Sequence, residues 1–386
     1  MAFRGAPITI GMLFSQTGVT AVLESSQRKA AMLAVSQINA SGGLLERELV
    51  LLDSDPASNP ARFKTEAERL LDEGAEALFG CYMSSTRKAV LPVVEARGSL
   101  LFYPTLYEGF EYMPSCIYSG AAPNQNARML ADYLTEMYGT CYFFVGSNYV
   151  FPYESNRIMR DLLSNRGATV TDEVYISLDP SEDEIAHVIK MVRSAGPVVV
   201  FSTLVGDGAV RFYKAYDEAG FDRTAQPIAS LTFGEPEIQA LGSGSATGHI
   251  KAAPYFSIID TPANRAFVAA YREAFGPDCA ICAEAEAAYF QVKLFAEAVR
   301  RSGKTDRMSI IRTLPTFSLE APQGSVRVDG STHHTHLWSR VAVVGENGAF
   351  QIMRESARPV APDPYLVALE NSLDDLVADA NLGCFF

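Results

Sequence analysis

The sequence has no long apolar run. Nothing approaches the roughly 18–20 consecutive apolar residues that cross a bilayer as a helix, so membrane insertion by that route is excluded. Positive charge is scarce: 32 Lys and Arg stand against 45 Asp and Glu, a formal net charge of −13. A chain of that sign repels nucleic-acid phosphates and anionic membrane surfaces, so direct nucleic-acid binding is not expected. Cysteine is sparse, with six in 386 residues. Cys81, Cys116 and Cys141 sit in apolar strand contexts and read as reduced core residues. The opening MAFRGAPITIGMLF carries one Arg and no apolar stretch before the first strand, unlike a secretory leader. Together these features give the expectation of a cytoplasmic protein, or of a periplasmic one whose leader was removed.

Catalytic signatures are missing as well. No phosphate-binding P-loop occurs, and Gly206-Asp207-Gly208 is too short for a dinucleotide fingerprint. No Ser sits in a G-x-S-x-G elbow, and no Ser/His/Asp or Cys/His set can be assembled. Glu284 and Glu286 are spaced off a common helix face. Cys279 and Cys282 form a lone CxxC that follows no thioredoxin-like first strand, so packing is the expectation. His333, His334 and His336 lack an acidic or Cys partner at metal-binding spacing and read as a solvated loop. No enzyme activity, cofactor or metal is expected.

What is present is a strong β/α alternation. Hydrophobic content is 48% and charged content 20%, enough for a packed core. Strands at 7–14, 49–52, 77–79, 100–102 and 116–118 alternate with helices at about 24–39, 61–73 and the segment after Ser84. A second series follows: helix 125–138, strand 141–146, helix 154–165, strand 169–176, helix 183–193, strand 198–201, helix 209–218 and strand 227–232. Such alternation predicts parallel sheets covered on both faces. Small-residue or Pro-bearing passages at 119–124, near Pro254-Tyr255 and at 330–334 are candidate crossings between lobes. The helices at 262–275 and 280–301 have no sheet of their own, so the chain returns to the first unit. The expectation is an α/β clamshell of two Rossmann-like lobes with parallel central sheets joined by three crossings. The lobes read as residues 1–120 with 256–330, and 121–255 with 331–386.

The stretch from Gly80 to Glu111 concentrates the candidate chemistry. Two successive strand ends carry Tyr82 with Ser84, and Tyr103 with Thr105. Carboxyl ends of parallel strands form the ligand edge of such sheets. Ser84, Ser85 and Thr86 also suit a helix N-cap, and a helix N-terminus offers free N–H donors. Arg87 and Lys88 lie one turn into the helix, and no cation sits in the loop itself. A neutral polar ligand is therefore favoured over a carboxylate. Tyr107, Tyr149 and Tyr153 add aromatic residues at strand exits in both halves.

Several segments carry a resemblance. GMLFSQTGVTA, GCYMSSTRKAVLPVVE, YPTLYEGFEY, GAAPNQN, GSNYVFPYESN, PIASLT, APYFSIIDTPA and APQGSVRV resemble the amide-sensing regulators of aliphatic amidase expression, which have the type I periplasmic-binding-protein fold. YEGFEY and GAAPNQ are also similar to segments of ABC-transporter binding proteins for urea and short-chain amides. The resemblance implies a short aliphatic amide (acetamide-like) or urea in the cleft, an antiterminator-type protein partner that acts on leader RNA, and the option of a homo-oligomer. It places ligand contacts on Tyr82, Ser84, Tyr103, Thr105, Tyr149 and Thr232, with Ser84 and Thr105 bonding the amide and the three tyrosines packing its alkyl group. Two pocket positions depart from the pattern: Leu106 replaces a Pro and Phe151 a Tyr. Phe233-Gly234 stands where hydroxyl residues are usual. The alternative implied role is the substrate-binding component of a urea or amide transporter.

Overall fold

The alternation folds into two sheets with one strand plan. The computed structural model describes residues 3–367, so the acidic stretch from Glu370 to Asp379 lies outside the described residues. The first series is β1 (Ile8–Leu13), α1 (Ala21–Ala40), β2 (Leu49–Ser54), α2 (Pro60–Asp72), β3 (Leu78–Gly80), α3 (Ser84–Ala96), β4 (Leu101–Tyr103) and β5 (Cys116–Tyr118). The second is α4 (Ala127–Tyr138), β6 (Cys141–Ser147), α5 (Val150–Ser164), β7 (Thr169–Ile176), α6 (Glu182–Ser194), β8 (Val199–Thr203), α7 (Gly206–Glu218), β9 (Ile228–Ser230), α8 (Glu235–Leu241), α9 (Ser243–Ala246) and β10 (Ile250–Ala253). There follow α10 (Pro262–Phe275), α11 (Ala283–Ser302), α12 (Arg307–Thr313), β11 (Leu319–Ala321), β12 (Gly324–Val328), β13 (Thr335–His336), β14 (Arg340–Val344) and β15 (Phe350–Glu355).

The first sheet runs β2-β1-β3-β4-β5, all parallel. The second repeats that order as β7-β6-β8-β9-β10 and adds β14 and β15 antiparallel at its edge. Helices cover both faces, which is why short strands such as Leu101–Tyr103 and Cys116–Tyr118 are buried at every position. A small antiparallel sheet, β11-β12-β13, follows α12, and α10 and α11 pack on α1 of the first lobe. Phe295 of α11 meets Phe79 and Phe102 edge-on, at 5.6 and 5.8 Å between ring centroids.

The structure departs from the sequence reading in several places. Helix α5 begins at Val150 rather than at 154, because Pro152 falls in the first turn, where its missing N–H costs nothing. Helices α8 and α12 are too short for periodicity to reveal them, and the edge strand β15 fully buries only Phe350, so no apolar run marks it. Residues 330–334 form a tight turn and not a passage between sheets: Asp329 accepts from the N–H groups of Ser331 and Thr332, turning β13 back onto β12. The passage follows at 337–339, ahead of β14. The histidine tract is not a solvated loop. His333 and His334 are buried, and the His334 ring stacks on Tyr118 at 4.1 Å while bonding the Tyr107 hydroxyl. Cys141 is exposed rather than in the core. No helix among the described residues is long and apolar enough to cross a membrane.

Arg340 holds the passages together. Its buried guanidinium donates to the carbonyl oxygens of Pro254 and Gln323 and to the Glu355 carboxylate.

Candidate functional site

Strand order places the site. In a 2-1-3-4-5 sheet the crevice opens at the carboxyl ends where the order reverses. Both lobes turn that edge toward the cleft, and the lining residues obey one rule. Each of five stands two residues past the last residue of its strand: Tyr82 after β3, Thr105 after β4, Tyr149 after β6, Val205 after β8 and Thr232 after β9. With Ser84, Leu106 and Phe151 they line a small cavity. Thr105 and Thr232 are counterparts on the fourth strand of each sheet.

Seven of the eight residues singled out in the sequence line this cavity: Tyr82, Ser84, Thr105, Leu106, Tyr149, Phe151 and Thr232. Tyr103 does not. Its hydroxyl donates to the carbonyl oxygen of Tyr82 at 2.9 Å, so it braces the loop from behind. Its ring packs edge-on against Tyr107 and Tyr118, with the Arg87 guanidinium over its face. Tyr107 packs in the ring cluster with Tyr118 and His334, and Tyr153 stacks on Tyr175 at 3.8 Å on the outside. Val205 escaped the sequence reading because it lacks a polar group. Its position two past β8 is the signal that finds it.

Polar capacity in the cavity is sharply divided. Thr105 Oγ1 donates to the Cys81 carbonyl oxygen at 3.2 Å and accepts from Gln27 Nε2 at 3.1 Å. Thr232 Oγ1 donates to the Leu204 carbonyl oxygen at 2.8 Å. Ser84 Oγ donates to Glu108 and accepts from Arg87 Nη1 at 3.2 Å. All three hydroxyl protons are committed to the protein, so these oxygens can only accept from an occupant. The Tyr82 hydroxyl is different: it is buried with no partner among the described residues. Burial also pushes the Tyr82 phenol well above its ordinary range, so it stays a neutral donor.

Backbone donors complete the inventory. Helices α3, α5 and α7 all begin at the cavity, and their cap residues Met83, Tyr149 and Val205 provide no side-chain cap. The first-turn N–H groups of such helices lack an i−4 acceptor, although Thr86 N is held by the Met83 carbonyl oxygen and Asp207 N by that of Val19.

Among the described residues no charged side chain lines the cavity. Behind Ser84, Arg87 is wholly buried and pairs with Glu111 at 2.8 Å and Glu108 at 3.4 Å, while Lys88 reaches Glu111 at 3.0 Å. Burial alone would raise the Glu111 carboxyl, but Arg87 and Lys88 overcome it and hold it at about 2. Two cations and two carboxylates thus cancel. The lobes also touch across the mouth: Leu23, Tyr82 and Met83 pack on Val205, with Tyr149 against them.

Solved structures place the whole architecture. An ABC-transporter solute-binding protein from Rhodopseudomonas palustris HaA2, in complex with p-hydroxybenzoic acid, superposes with a TM-score of 0.85 at 18% identity, covering 95% of this chain and 100% of that one. Among curated relatives, the Leu/Ile/Val-binding protein homolog 3 of Brucella melitensis is 24% identical over 310 residues, 78% of this chain and 81% of that protein. A shorter match, 29% identical over 126 residues, is to a limonene hydroxylase of Geobacillus stearothermophilus; it covers 33% of this chain and only 23% of that protein. The family profile described as periplasmic binding protein domain matches residues 8–371, and with two like sheets opening on one cleft the chain belongs to the periplasmic binding protein family.

Proposed function

We propose that the chain is the solute-binding component of an ABC uptake system for a small uncharged amide or urea. The cavity's uncharged lining, contributed by both lobes, carries this reading. A carboxamide combines a carbonyl oxygen with an N–H₂ group. The helix N-termini and the Tyr82 hydroxyl suit the oxygen, and the accepting oxygens of Ser84, Thr105 and Thr232 suit the nitrogen. A free amino acid would bring two full charges into a cavity that offers no counter-charge, which is costly. The small volume limits the occupant to a few heavy atoms. Phe151, Leu106 and Val205 supply the apolar contact for a short alkyl group.

The lobes, which we take as 3–120 with 256–336 and 121–255 with 337–367, close on the ligand because both contribute contacts. Tyr103 is assigned the bracing role its bond to Tyr82 supports rather than a ligand contact. Titration calorimetry with urea, formamide, acetamide and propionamide, set against leucine and 4-hydroxybenzoate, tests the ligand class. Heat with leucine or the benzoate and none with the amides would overturn it.

A second reading keeps the same ligand in a sensor that holds an antiterminator-type protein partner. The segments GCYMSSTRKAVLPVVE and YPTLYEGFEY favour it. Recovery of the native protein from the cytoplasm together with such a partner would select the sensor; recovery from the periplasm would select uptake.

A further inference from the structure

The Ser84 hydroxyl is polarised from behind. Ser84, Arg87 and Glu108 are all at least nine-tenths buried. The Glu108 carboxylate accepts the hydrogen bond that the Ser84 hydroxyl donates, and Arg87 fills one of the Ser84 lone pairs. Arg87 cannot turn away: the Tyr103 and Tyr107 ring centroids each lie 4.7 Å from its guanidinium carbon, and Glu111 fixes its Nε. Ser84 is left with one lone pair for the cavity. A ligand N–H satisfies that lone pair, whereas a carboxylate oxygen in its place sets two acceptors against each other.

We propose that Glu108 is the specificity-determining residue of this site, holding Ser84 as an acceptor and cancelling the Arg87 charge, so that an amide is chosen over its isosteric carboxylate. The inference rests on the small-amide reading above. Without the Glu108 charge, Arg87 and Lys88 outweigh Glu111 by one positive charge. A Gln at 108 can donate its own N–H to Ser84 Oγ, freeing the Ser84 proton to face the ligand. Both changes favour a carboxylate.

The test measures affinities for acetamide and acetate, and for propionamide and propionate, in the wild type, Glu108→Gln and Glu111→Gln, with thermal unfolding followed in each. The wild type is expected to bind the amides and reject the acids. In Glu108→Gln the ratio of amide to acid affinity should shrink at least about tenfold, the size of one hydrogen bond reversed. Glu111→Gln removes the same charge without touching Ser84 and should move the ratio less. Should Glu108→Gln not fold, Glu108→Asp keeps the charge and should weaken the amide without admitting the acid. A wild type that binds an amide, with the ratio unmoved in Glu108→Gln or moved equally in Glu111→Gln, overturns the role of Glu108. A wild type that binds none of the four ligands and no urea overturns the amide reading, and this inference falls with it.

Discussion

Leu106 stands at the wall between two spaces. It lines the candidate cavity and also a neighbouring small cavity bounded by Ala252, Pro254 and Ala287. Truncation in Leu106→Ala would join them. Affinity for butyramide is expected to rise relative to acetamide, at a stability cost of about 2–4 kcal/mol read by denaturant unfolding. An unchanged ligand preference would show that the wall is elsewhere. Tyr82 gives a cleaner separation of binding from stability. Its buried hydroxyl has no partner among the described residues, so Tyr82→Phe removes no bond from the unliganded fold. Amide affinity should fall about fivefold to tenfold while the melting temperature holds or rises. A marked drop in melting temperature would place the hydroxyl in the scaffold instead.

Among the elements, α11 carries the most unusual burden, with Glu284 and Glu286 both buried on a helix that lies on α1. Glu284 faces Lys251 of β10 at 3.9 Å. Burial raises Glu286 to about 8, against the opposing hydrogen bonds from Gln323 and the Arg340 charge. Glu237 is raised to about 8 and Glu24 to about 7, again by burial first. An acid raised in the folded state stabilises most below its unfolded value near 4.5, and loses that contribution as pH climbs through the folded value. Stability is therefore expected to fall from about pH 4.5 to about pH 8, and Glu286→Gln should flatten that slope. A slope unaltered in the variant would remove Glu286 from the account. The Arg340 staple makes a second prediction at this scale. Arg340→Ala strands the Pro254 and Gln323 carbonyl oxygens and is expected to cost about 3–5 kcal/mol by chemical denaturation.

For the molecule as a whole, the decisive event is closure. Near the mouth, Gly206 adopts φ +61°, and a Cβ there would lie 2.0 Å from the Val19 carbonyl oxygen of the opposite lobe. Asp207 N donates to that same oxygen at 3.4 Å. Gly206→Ala should hold the lobes apart, so small-angle scattering would show a larger radius of gyration at saturating ligand and affinity would drop about tenfold or more. Equal radii in variant and wild type would mean that the contact at Val19 does not limit closure.

Much of this arrangement was legible in the residues. Period and punctuation revealed the β/α alternation, and α10 and β7 fell where read, at Pro262–Phe275 and Thr169–Ile176. Hydroxyl and aromatic residues at strand exits pointed to Tyr82, Ser84, Thr105, Tyr149 and Thr232, because parallel sheets present ligands at those ends. Tyr103 carried the same signal and lies behind the loop, because its ring is held by Tyr107 and Tyr118 and its hydroxyl by the Tyr82 carbonyl oxygen. Val205 carried no signal until strand ends were known. The pairing of Arg87 with Glu108 and Glu111 was equally hidden: residues 21 and 24 positions apart meet only after β4 and its exit loop come to rest beside α3. Local pattern, then, determined which segments become strands and helices and which exits are polar. Tertiary packing alone decided which of those polar groups still have a bond to give, because that depends on neighbours distant in the chain.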